Sequence, residues 1–340
     1  MVSPARPRVQ FTRSSTVFTR RLALATLLAA CTAASAQDPG TFPQKDVPVR
    51  ILVPATAGGT TDIIARAVQR HLEAALGVPV IVENRAGAGG VIGASALLAA
   101  KPDGHTILFA PSALGVRSAL DNKLPYVAER DMAGIALLAK APSFLVVSPA
   151  LHVNSVAQLV AAAKADRTGV NYGSAGVGST AHLHSAVFAK MAGFDAQHIP
   201  QRGTPETMTE IIGGRLTYAF APAPNVLPLA KSGRLLVLAS SSAAGKKFMP
   251  DVPTLSQAGV HGYDGEDWFA ALGSSKMPKA VRERLGKELA LIVALPDVRE
   301  VLLNAGAEPV SNTPDEMDTM LRTYISSTRA MAKDMHISID

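Results

Sequence analysis

Two glycine-rich stretches could bind an anion without any reactive side chain. Pro54-Ala55-Thr56-Ala57-Gly58-Gly59-Thr60-Thr61-Asp62 follows an apolar run, Val49 to Val53, and precedes a helix-like run, Ile63 to Leu76. Ser174-Ala175-Gly176-Val177-Gly178-Ser179-Thr180 repeats the design far downstream. A strand, a glycine turn and a helix start leave backbone N–H groups free to face an anion. Neither stretch contains lysine or arginine, so backbone donors would carry the contact. Two such loops, distant in sequence, suggest a ligand gripped from two sides.

The candidate contacts are Thr56, Ala57, Gly58, Gly59 and Thr60 in the first loop, and Ser174, Gly176, Val177, Gly178 and Ser179 in the second, with His182 on the helix beyond. Each loop is also explained as a tight turn, and Ser179 or Thr180 as a plain N-cap. Asp62 suits the first helical turn better than direct contact with an anion it would repel, and reaches a ligand more easily through water or a ligand hydroxyl. Ser112 follows a third strand and is placed to hydrogen-bond a ligand. Gln201, Arg202 and Gly203 form another candidate group, in which Arg202 offers the charged contact. Gly87 to Gly90 is a third loop, which Glu83, Asn84 and Arg85 would pin. Trp268 and Phe269 read as core residues of a crossing strand. Met317, Met320, Met331 and Met335 read as one apolar helix face.

Metal and enzyme chemistry find little support. His182 and His184 are two residues apart on a predicted helix and point about 200° apart. His152, His198 and His261 stand isolated, and no His-x-x-x-His or Cys-x-x-Cys occurs. No metal and no cofactor is expected. Gly173-Ser174-Ala175-Gly176 is like a nucleophile elbow without its first glycine, and no base for Ser174 is evident. The loops lack the Lys-Ser/Thr ending of a P-loop and the spacing of a Rossmann fingerprint.

The N-terminus reads as a cleavable signal. Arg20-Arg21 precede the apolar run Leu22 to Ala30, and Ala34-Ser35-Ala36 suits signal peptidase, leaving Gln37 first. Leu28-Ala29-Ala30-Cys31 offers a competing lipoprotein site on the single cysteine. Removing residues 1–36 removes five arginines and no acid, so the formal charge falls from +6 to +1. The mature chain then has no basic footprint for nucleic acid.

The remaining chain alternates short β-branched runs with longer amphipathic ones. Strands are expected at 49–53, 78–82, 106–110, 144–147, 170–173, 216–221 and 235–239. Helices are expected at 62–76, 91–100, 156–165, 179–192, 205–213, 279–294 and 314–335. Such alternation implies parallel strands with right-handed crossovers. Ligands then sit beyond the carboxyl ends of the strands, where both glycine loops lie.

The order of motifs resembles the substrate-binding proteins of tripartite tricarboxylate transporters, the Bug receptors. The matches are Val53-Pro54 with Gly58-Gly59 and Asp62, Val82 through Gly90, Pro102-Asp103-Gly104, and Leu124-Pro125-Tyr126. Tyr172-Gly173-Ser174 with Gly176, Gly178-Ser179 and His182-Leu183 follow, then Pro200 with Gly203, Asp251 through Thr254, and Thr313-Pro314. The resemblance implies an α/β type II periplasmic binding protein fold, with two lobes joined by crossing strands. Lobe 1 is expected at 41–145 plus 268–340 and lobe 2 at 146–267. It also implies a periplasmic monomer that captures a small organic acid through backbone amides and delivers it to membrane permease subunits. Presentation of the closed form to a sensor kinase is the alternative, and a periplasmic hydrolase a more remote one. The chain departs from the family pattern at Ala55-Thr56-Ala57, at Gln201-Arg202 and at Gly273 to Pro278, which would make the cleft larger or more polar.

Overall fold

Alternation of short apolar runs with amphipathic ones becomes two helix-covered sheets. The structure, a computed structural model, describes residues 1–2, 42–166 and 169–337. The cleavage motifs at Cys31 and Ala36 lie outside the described residues. Strands β1 (Val49–Val53), β2 (Val80–Asn84) and β3 (Thr106–Pro111) run parallel, crossed over by α1 (Thr60–Leu76) and α2 (Val91–Ala99). The second strand begins two residues later than expected. Gly77 closes α1 in the left-handed conformation, and Pro79 has no N–H to give a ladder.

After β3 come α3 (Ala113–Leu120) and the long β4 (Met132–Val147). The second sheet then forms from α4 (Val156–Ala165), β5 (Val170–Ser174), α5 (Thr180–Ala192), β6 (Ala196–Pro200), α6 (Thr204–Ile212) and β7 (Tyr218–Pro222). Strand β5 runs parallel to both β6 and β7. The chain closes with α7 (Ala223–Lys231), β8 (Leu236–Ser240), β9 (Glu266–Ser274), α8 (Lys279–Val293), α9 (Pro296–Asn304), β10 (Glu308–Pro309) and α10 (Pro314–Asp334).

Strand β4 belongs to both sheets. Its first part lies between β9 and β10, and its last residues between β7 and β8. The sequence reading finds only its end, Phe144–Val147, because a strand buried on both faces shows no polar alternation. Elsewhere the alternation is legible in the packing. Val49, Ile51 and Val53 face one core cluster with Ile64, Val68 and Leu72 of α1, while Leu52 faces another with Leu97 and Leu321. In the second sheet Leu145, Tyr218 and Phe220 face one cluster, and Phe144, Ala219 and Ala221 the other.

Helix α10 touches both regions. A capping box of Thr313 and Glu316 starts it. Met317 and Met320 pack with the first sheet's cluster, whereas Met331 and Met335 pack against the second sheet's. The expected single methionine face is therefore divided between two cores.

A buried carboxylate ties the junction of the sheets. Ser112 Oγ, just past β3, donates to Asp267 Oδ1 at 3.0 Å, and Ser143 Oγ of β4 donates to Oδ2 at 2.8 Å. His184 Nε2 of α5 stands 3.7 Å from Oδ1, and its Nδ1 lies 2.9 Å from the Tyr263 hydroxyl. Burial works to raise the pKa of Asp267, but His184 and the two hydroxyls outweigh it and hold the carboxyl below its ordinary value. Replacing Asp267 by alanine orphans two buried hydroxyls, at about 1–3 kcal/mol each. Urea unfolding of Asp267→Ala should show a loss of that size, and an unchanged midpoint would mean that this carboxylate does not hold the junction.

Candidate functional site

Three strand-to-helix loops share one hydrogen bond. In each, the residue before the helix N-cap donates its N–H to the side chain four positions on. Gly58 (φ 82°) donates to Asp62 Oδ2 at 2.9 Å, ahead of N-cap Gly59. Gly178 (φ 76°) donates to His182 Nδ1 at 3.2 Å, ahead of N-cap Ser179. Arg202 donates to Glu206 Oε2 at 2.8 Å, ahead of N-cap Gly203. Gly59 and Ser179 have nearly the same backbone angles, φ −76°, ψ 164° and φ −73°, ψ 159°. The left-handed conformation at Gly58 and Gly178 is what favours glycine there. The Gly58 and Gly178 amides are thus already engaged. The N–H groups still seeking an acceptor are those of the first helical turns.

The supports of the first loop come from β2. Asn84 Nδ2 donates to the Ala55 carbonyl at 3.2 Å and to Asp62 Oδ1 at 3.0 Å, and Arg66 Nε donates to Asp62 Oδ2 at 3.0 Å. Burial pushes the Asp62 pKa up, but the bonds from Arg66, Gly58 and Asn84 prevail and lower it. Asn84 therefore pins the first glycine loop rather than Gly87–Gly90, and Arg85 pairs with Glu83. Thr56, Ala57 and Gly58 are exposed, and Gly59 and Thr60 half-buried. Ser112 is buried against Asp267, so its hydroxyl turns to the sheet junction and not to a ligand.

Behind the second loop lies a stack of rings. His182 and His198 stack with centroids 3.9 Å apart, and Tyr172 lies over His198 at 5.0 Å. His198 is not isolated, as the sequence suggests, because parallel pairing of β5 with β6 sets it beside Tyr172. Its Nε2 lies 2.7 Å from Ser174 Oγ. That contact has the spacing of a nucleophile and its base, but Ser174 is wholly buried and donates its proton to the Gly176 carbonyl at 2.9 Å. The hydroxyl also accepts from the Gly176 amide at 3.1 Å, so it is built into the loop and not presented at a surface. Ser174 also holds the neighbouring loop, since its carbonyl accepts from Gln201 N at 3.0 Å and from Thr207 Oγ1 at 3.0 Å. His182 serves the loop from behind. Val177 is exposed at the tip.

The two loop groups meet through Arg117, which the sequence reading misses along with the whole of α3. Its Nη1 donates to the Val177 carbonyl at 3.3 Å, and its Nη2 to Asp121 at 3.0 Å. A side-chain carbon at Gly89 would lie 2.5 Å from Nη1, so the guanidinium rests directly on the Gly87–Gly90 loop. Gly90 and Gly93 in turn pack on Pro54 of the first loop. Arg117 Nε is buried without a partner among the described residues. Ser112-Ala113 after a strand is an N-cap signal that could have revealed the helix. Among the described residues no group of three His, Cys, Asp or Glu could hold a metal ion.

Comparison with known proteins gives the same architecture. A family model described as the tripartite tricarboxylate transporter family receptor matches residues 64–336. BugT of Bordetella pertussis is 32% identical over 278 residues, covering 81% of this chain and 85% of BugT. An R. palustris protein solved with adipate superposes with a TM-score of 0.79 at 28% identity, over 87% of this chain and 99% of that one. MatC from Rhodopseudomonas palustris, solved with malate, gives a TM-score of 0.75 at 25% identity, over 84% and 98%. The fold is thus the type II periplasmic binding protein fold, two α/β lobes joined by crossing strands.

The histidine stack makes stability depend on pH. Burial, with the neighbouring imidazole adding to it for His182, pushes both histidines down to about 4. In the unfolded chain they take up protons near pH 6.5. Between those values the unfolded state binds more protons, so stability falls as pH drops from about 6.5 to about 4. Thermal melts should show that loss in the wild type and a shallower one in His182→Asn, whose Oδ1 can still accept from Gly178. Parallel profiles would mean that the stack does not set the slope.

Proposed function

Because the chain belongs to the tripartite tricarboxylate transporter receptor family, we propose that it is a periplasmic receptor. It closes two lobes on a small carboxylate and hands it to membrane permease subunits. In this reading residues 41–145 plus 268–340 make lobe 1, and 146–267 make lobe 2. Neighbours solved with adipate and malate support a ligand of that class.

The observation that carries the reading is a difference in charge between the three loops. At the starts of α1 and α6 the side chain that accepts the N–H is a carboxylate, Asp62 or Glu206. Each carboxylate offsets the positive end of its own helix. At the start of α5 the same acceptor is His182, which stays neutral down to about pH 4. The positive end of α5 is left uncompensated, and a ligand carboxylate is stabilised there by the Thr180 and Ala181 amides, the Ser179 amide being bonded to the Gly176 carbonyl. Arg117 reaches across from lobe 1 to the Val177 carbonyl and holds the loop from the other side. The Arg202 side chain is exposed with no partner among the described residues, and offers a planar fork to a distal carboxylate.

Calorimetry with adipate and its monoamide tests this. His182→Asp places at α5 the charge that the other helices already carry, and should weaken adipate at least about tenfold, or 1.4 kcal/mol, while His182→Asn keeps binding. Arg202→Ala should weaken adipate more than the monoamide. Equal affinity for wild type and His182→Asp, with both proteins folded by circular dichroism, would remove α5 from the site. Equal losses for the two ligands would remove Arg202 from charge recognition.

A further inference from the structure

Away from the glycine loops, a cavity of about 530 Å³ opens between α5 and α10, beside the start of β9. Its volume lies within the range of small-molecule sites. The walls are apolar: Leu183, Val187 and Met191 come from α5, Met320 and Met331 from α10, and Trp268 from β9. Methionines of this kind adapt to flat, polarizable guests. Polar atoms in the wall are few and specific. Tyr324 and Thr328 stand four residues apart on one face of α10, and neither hydroxyl has a hydrogen-bond partner among the described residues. Thr328 is only 4% exposed. Beneath them the Trp268 ring meets Tyr324 edge-on at 5.4 Å, and its Nε1 is buried without a partner. The charges at the rim are Lys140, paired with Glu266 at 2.9 Å, and exposed Asp264. That balance disfavours an anion.

We infer that this cavity is a second binding site, distinct from the glycine-loop cleft. Its ligand is an uncharged, largely apolar molecule with one acceptor oxygen, which takes the hydrogen bond of the Tyr324 hydroxyl. The Tyr324 and Thr328 hydroxyls both open on the cavity and are not sealed in the core, so a guest that enters it can accept from them. A flat body fits between the methionines and the tryptophan. The cavity separates from the cleft by chemistry, because a neutral ketone has no charge for the positive end of α5.

Trp268 is the single tryptophan of the chain, so its fluorescence reports on the cavity wall directly. Acetophenone is the probe: a flat ring with one carbonyl. Titration should quench Trp268 saturably, in the wild type and equally in Gly178→Val, where the cleft loop is disturbed. Tyr324→Phe should weaken the apparent affinity about fivefold, the worth of one hydrogen bond. Met191→Phe with Met331→Phe should fill the cavity and abolish saturable quenching. A linear, non-saturating quench in the wild type would overturn the site. So would loss of quenching in Gly178→Val, or an unchanged affinity in Tyr324→Phe, a variant that keeps the ring packing even if the filled variant fails to fold.

Discussion

The structure depends on a carboxylate placed where a carboxylate is expensive. Asp267 lies at the point where β3 ends, β4 passes from one sheet to the other and β9 begins. Two serine hydroxyls and an imidazole, each from a different element, hold its ionised form. A group so buried must have all its partners or none. It therefore fixes the relative placement of the end of β3, the bend of β4 and the start of α5. Those three places adjoin the elements that carry the glycine loops. Ser112 shows how strongly this requirement acts: a hydroxyl well placed for a ligand is used for the junction instead.

The glycine loops obey a second economy. One backbone device serves three helix starts, with an aspartate, a histidine and a glutamate as acceptor. At α1 and α5 the backbone angles match as well, whereas at α6 Arg202 is not left-handed and Gly203 is fully extended. The field at each helix end depends on which acceptor it is. Shape and charge are therefore set by separate residues. The histidine needs its own support to stay neutral, and the stack with His198 and Tyr172 provides the dry surroundings that keep it so.

Much of this was legible in the sequence, for reasons that can be named. The helices expected at 62–76, 156–165 and 314–335 end within two residues of those the structure shows. The parallel strand–helix order followed from alternation. What stayed hidden lacked a local signal. Strand β4 is apolar on both faces and rich in alanine. Strand β6 is short and half exposed, so His198 had no visible neighbour until β5 supplied one. Helix α7 carries Pro228 in its interior, which argues against a helix. Arg117 was invisible because α3 was. The loops themselves were found, but not the fact that the Gly58 and Gly178 amides are already spent on side chains.

The shared strand β4 also dictates an order of assembly. Met132 pairs with Ser274 and Pro142 with Glu266, so the first sheet cannot be completed until nearly the whole chain has arrived. The second sheet draws β5, β6, β7 and β8 from one continuous stretch and can close before β9 arrives. Pairings of such wide sequence separation form slowly, because loop closure must precede their reward. Until β9 docks, the edge of β3 stands open, a template for another chain. The topology thus makes the edge of β3 wait for a strand that lies late in the chain. Helix α10, the last described element, packs against the clusters of both sheets.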